Sequence, residues 1–147
     1  MQARCLAAVI CFAACASLMA QQAPPDLQAQ AEAAQGKKRA ELFMEMAKQR
    51  LDQASRLFNE GKTEEAHEAV KKAVAASQEA SDAARKSHKR LKQTEISVRQ
   101  VARRLADLSN TLEFEDREAI KASVEKLEEI RRQLLEEMFG KKKKIQS

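Results

Sequence analysis

The chain has 147 residues, 33% of them charged, with 27 Lys or Arg against 22 Asp or Glu. That length suits one ordinary domain and is short for two. Five Phe with no Trp or Tyr exclude an aromatic-rich core, and 3 Gly with 2 Pro supply too few turns for an all-β fold. Ala, Leu, Lys, Glu, Gln and Arg dominate instead, all good helix formers, so the expected fold class is all-α.

Residues 1–20 read as an export signal. Arg4 provides a positive start, and residues 5–18 are an uncharged apolar run, shorter than the roughly 20 residues of a membrane-spanning helix. Cleavage is expected after Ala20, with Ala16 as the second candidate. Phe12-Ala13-Ala14-Cys15 resembles a bacterial lipobox, and the alternative it offers is lipidation of Cys15. All three cysteines (Cys5, Cys11 and Cys15) fall within this signal. Cleavage after Ala20 therefore leaves no disulfide framework, no cysteine metal site and no cysteine nucleophile. A thiol-free chain suits an oxidising envelope, so the expected location is periplasmic or envelope-associated.

Residues 21–36 are rich in Gln and Ala and lack an apolar stripe, which predicts a partly helical linker. Asp26 can cap such a helix, and Gly36 weakens its continuation. The first strong helix is expected over residues 38–60. There Phe43, Met46, Ala47, Leu51, Ala54, Leu57 and Phe58 recur at three- and four-residue spacing. Gly61 can close it in the left-handed conformation, Thr63 can cap the next helix, and Glu64 and Glu65 suit its first turn.

The second helix is expected to run unbroken over residues 63–109, about 70 Å at about 1.5 Å per residue. Its seam reads Ala66, Val70, Ala73, Ser77, Ala80, Ala84, Ser87, Leu91, Thr94, Val98, Val101, Leu105, Leu108 and Leu112, with alternating spacings of four and three. The first half is Ala and Ser, thin enough for the first helix to pack closely, and the second half is mainly Val and Leu. Ser109-Asn110-Thr111 can break the chain. A third helix over residues 115–139 then carries Ile120, Val124, Leu127, Ile130, Leu134, Leu135 and Met138, with Gly140 as its stop. Residues 140–147 form a basic tail. The architecture expected is a three-helix antiparallel bundle with a long coiled-coil-like central helix. Residues 83–106 carry eight Lys or Arg against Glu95, and residues 107–139 carry a net negative charge. An antiparallel turn near residue 110 would lay the two side by side and fix register.

The segment from Leu57 to Ala66, with Gly61 at the turn and Ala66, Val70 and Ala73 following at small, large and small positions, resembles one tetratricopeptide hairpin. The likeness covers residues 47–76 and departs afterwards, since no Pro ends the second helix. It implies a protein-binding role. In its small size, basic charge, signal and long helices the chain is also similar, as a class, to small periplasmic helical chaperones.

Chemistry-bearing residues are sparse. His67 has only Glu64 beside it as a second ligand, and His88 lies among Arg85, Lys89 and Arg90, so no metal site is expected. The carboxylates alternate with Lys and Arg as on a solvated face. Ser77 and Ser87 sit in the seam, and no glycine-rich phosphate loop occurs. Neither catalysis nor a cofactor is expected. The sequence pI near 9.2 raises nucleic acid as a partner. Against it stand the export signal, the lack of Trp and Tyr for base stacking, and the internal acidic partner of the basic segment. Lys141, Lys142, Lys143 and Lys144 can touch anionic lipid or serve as a solubilising end.

The function expected is that of an exported, non-enzymatic protein-interaction or scaffold module. Its predicted contact surface is Phe43, Leu51, Phe58, Ala66, Val70 and Ala73, open to a protein partner or to self-association. The alternatives are a chaperone for unfolded envelope proteins and a structural lipoprotein anchored through Cys15.

Overall fold

The computed structural model describes residues 26–143, with side chains as far as Gly140. The expected signal with Ala20 and Cys15, the Lys144 position and the side chains of Lys141, Lys142 and Lys143 lie outside the described residues. Regular structure among the described residues is entirely helical, in five elements: α1 (Leu27–Ala33), α2 (Gly36–Asn59), α3 (Thr63–Ser87), α4 (Leu91–Ser109) and α5 (Phe114–Lys143). The all-α class is as expected; the three-helix count is not.

The expected linker contains α1. The Asp26 side chain accepts from the Gln28 backbone N–H at 3.1 Å, capping this helix as its sequence suggests. Ala31 is fully buried beneath it. The Arg39 guanidinium donates to the Ala31 and Glu32 carbonyls at 3.3 and 3.0 Å, satisfying the far end. A single buried Ala leaves no stripe to read in the sequence, which is why this helix looked like a linker.

Gly61 closes α2 as expected, at φ 73°. Lys62 N–H donates to Leu57 O at 2.9 Å and Gly61 N–H to Phe58 O at 3.0 Å, the paired bonds of a Schellman ending. Thr63 is the first residue of α3 rather than its cap; Lys62 holds the cap position without a side-chain bond.

The central helix breaks. His88 and Arg90 both have left-handed backbones, φ 51° and 64°, and α4 folds back along α3. Lys86 to Arg90 is an all-polar run that water can solvate as a turn. The Ser87 hydroxyl donates to Ala83 O at 2.8 Å, and Lys89 N–H donates to it in turn at 3.4 Å. Two non-glycine residues in this conformation cost about 1–2 kcal/mol each. Folding back surrounds Val98, Val101 and Leu105, all at most 1% exposed, with α2 and α3 as well as α5. Full burial of such side chains is worth about 1.5–3 kcal/mol each, which outweighs the strained turn.

Cross-helix partners give the register. His67 meets Asp116 and Arg85 meets Gln133, 49 and 48 positions on, so α3 and α5 run parallel. Arg90 pairs with Glu41 at 3.1 Å and Arg104 with Asp52, so α2 and α4 run parallel. Arg131 donates to Glu95 at 2.7 Å across antiparallel α4 and α5. The result is an up-down-up-down four-helix bundle with α2 and α5 across the diagonal and α1 laid on α2.

The core has two layers. Between α2 and α3, Phe43, Met44 and Leu51 fill the space beside Ala69, Ala76 and Ala80. Between α4 and α5, Val98, Val101 and Leu105 meet Ile120, Leu127, Ile130 and Leu134. The expected charge zipper between α4 and α5 is replaced. Arg90 and Arg104 turn to carboxylates on α2, and the buried pair between α4 and α5 has its carboxylate on the basic segment. Finally, Gly140 does not stop α5, which continues to Lys143. One exposed Gly costs a helix only about 1 kcal/mol.

Candidate functional site

The predicted contact surface is consumed by the chain itself. Phe43, Leu51, Ala66, Val70 and Ala73 are buried within the bundle, and Phe58 is half-buried. The same apolar periodicity that marks a binding face marks a core face, and the bundle uses it as core. None of those six is free for a partner in this fold except through the edge of Phe58.

The large hydrophobic side chains that do remain exposed among the described residues are Phe114, at 71%, and Phe139, at 60%. The up-down topology puts them at opposite ends of the bundle. Both were missed in the sequence because neither sits in a repeating stripe; the available signal was an off-phase Phe beside charged neighbours at a helix end.

Phe114 opens α5 at the end formed by the α2–α3 and α4–α5 turns. His67 joins the two turns: its Nε2 lies 2.7 Å from Asp116 Oδ1, and the Phe58 ring packs edge-on against it at 5.3 Å. The Arg117 side chain donates to Leu112 O at 2.9 Å and steadies the connection into α5. Around this frame Glu60, Glu64, Glu65, Glu113, Glu115 and Glu118 are exposed. A hydrogen bond and the charge of Lys62, 2.8 Å away, hold Glu60 below the usual carboxylate range. This is an acidic pole.

The other end gathers the start of α2, the α3–α4 turn and the end of α5. A Cβ on Gly36 would lie 3.6 Å from the Ser87 Cβ, which shows how closely the first two approach. His88 lies 3.1 Å from Glu137, fixing the α5 end beside the turn. Lys37, Lys38, Lys86, Lys89 and Lys92 are exposed there. Phe139 follows two residues after Glu137. This is a basic pole, and Lys141, Lys142 and Lys143 extend the helix beyond it.

Between the poles the polar groups serve the fold. Glu95 is buried, and Arg131 neutralises it; hydrogen bonds to Glu95 and Glu128 push the Arg131 guanidinium further up than usual. An open groove of about 490 Å³ lies where the α1–α2 joint meets the end of α3. Its Arg39 is already bonded to α1 carbonyls and to Glu79 at 2.8 Å, and it stacks on Phe43 at 4.7 Å. Among the described residues no three His, Cys, Asp or Glu are grouped to hold a metal ion. No described helix is long and apolar enough to cross a membrane.

Set against protein-family models, curated proteins and solved structures, the chain finds no match.

Proposed function

We propose that this protein is an exported, non-enzymatic adaptor that engages another protein through an end of its bundle. The observation that carries the reading is that, among the described residues, the exposed large hydrophobic side chains lie at the two poles, while the apolar helix faces are turned into the core. An exposed aromatic ringed by charge is the usual make-up of a protein contact, with the ring as anchor and the charges as steering rim. Phe114 within its carboxylates suits a partner with a basic, apolar-centred face. The tetratricopeptide likeness of residues 47–76 supports a protein-binding role, and the apolar residues 5–18 support export.

The test is photo-crosslinking in the producing cell, with the reactive side chain placed at Phe114 or, as a control, at exposed Gln100 on the flank of α4. The expected result is one protein captured in high yield from position 114 and not from position 100. Capture of many unrelated envelope proteins from both positions would replace the adaptor with a chaperone.

A further inference from the structure

We propose that the basic pole is a docking face for an anionic membrane surface, with Phe139 as its apolar contact. This goes beyond the adaptor reading and does not depend on what binds the acidic pole. The lysines come from two separate places in the chain. Lys38 lies on the first turn of α2, Lys86 and Lys89 flank the α3–α4 reversal, and Lys92 opens α4. Only the left-handed turn at His88 and Arg90 brings them to the end where α5 finishes. α5 runs on past Phe139 to Lys143.

The pairing pattern selects lipid as the occupant. The arginines of this end are engaged within the bundle: Arg39 with Glu79, Arg85 with Gln133 and Asp82, and Arg90 with Glu41. Lys38, Lys86, Lys89 and Lys92 have no carboxylate within ion-pair distance among the described residues. Arginine is the side chain for fixed, planar recognition of single carboxylates, whereas lysine offers a mobile point charge on an apolar stem. Diffuse negative charge spread over a lipid surface needs the second kind. Basic residues near such a surface act additively, and an apolar Phe ring buries at the boundary between headgroups and acyl chains. Of the carboxylates at this end, Glu41, Glu79, Asp82 and Glu137 are held by Arg90, Arg39, Arg85 and His88, and Glu32 and Glu136 are exposed.

The experiment is co-sedimentation with vesicles, using the protein with the N terminus that the producing cell leaves on it. Vesicles of phosphatidylcholine alone are compared with vesicles that also contain phosphatidylglycerol. The wild type is compared with a K38Q/K86Q/K89Q/K92Q variant and with Phe139→Ala; these exposed positions leave the core intact, and circular dichroism checks helicity. The proposal expects binding that requires phosphatidylglycerol and weakens as salt is raised. It expects a loss on the order of a thousandfold in the quadruple variant and about tenfold in Phe139→Ala. Equal binding to both vesicle types overturns it, since the pole would then add nothing to any N-terminal apolar segment. Unchanged binding by the quadruple variant assigns the contact to the tail alone and also overturns it. So does a protein that ignores vesicles but elutes as a larger species, reduced by the four substitutions, because the occupant is then the acidic pole of a second copy.

Discussion

Two turns in this chain do the same job with different chemistry. The α2–α3 turn uses Gly61 at φ 73° and closes with a pair of backbone hydrogen bonds. The α3–α4 turn reverses the chain with His88 and Arg90 in the left-handed region, where both side chains carry a steric penalty. Local preference accounts for the first turn. Burial of the α4 apolar face accounts for the second, so its stability depends on the core that it allows to form. A turn dictated from a distance leaves little local mark.

The comparison can be broken most severely from the core. Leu105→Ala removes a fully buried side chain from the layer that holds α4 in place, and it should cost about 2–5 kcal/mol in urea unfolding. Removing the buried carboxylate should come next: Glu95→Ala leaves Arg131 without its main partner, with an expected loss of about 1–3 kcal/mol by the same measurement. At the turns themselves the signs should differ. Gly61→Ala meets no atom within 4 Å, so backbone strain alone is felt, and about 1 kcal/mol should be lost. His88→Gly relieves backbone strain at the other turn and should gain about 0.5–1 kcal/mol. The smallest effect is expected at Ser81, whose buried hydroxyl has no hydrogen-bond partner among the described residues: Ser81→Ala should be neutral or stabilising, by up to about 1 kcal/mol. Unchanged denaturant slopes would show that each variant still unfolds from the same bundle.

The α2–α3 hairpin was legible because each of its parts is local. The apolar stripe, Gly61 and the acidic first turn of α3 all lie within a few residues of the feature they produce. The α3–α4 reversal was hidden by its own spacing. Ser87 and Leu91 are four apart, so the seam stays in phase across the break and imitates one long helix. The five polar residues from Lys86 to Arg90 were visible, yet such a run also suits the outer face of a continuous helix. The same ambiguity misplaced the contact surface. Phe43, Leu51 and Val70 were rightly singled out as apolar, but whether an apolar face meets a partner or its own chain depends on the topology. Phe114 and Phe139 became candidates only when the bundle showed which faces were already covered.

The poles exist only because the chain reverses at His88. The most direct test labels Glu64 and Glu115 as a fluorescence pair through introduced cysteines and measures energy transfer. In the folded-back bundle these positions flank the His67–Asp116 contact, so transfer should be nearly complete. A continuous helix over residues 63–109 would separate them by about 70 Å and abolish transfer. That outcome would return the chain to three helices and remove both poles.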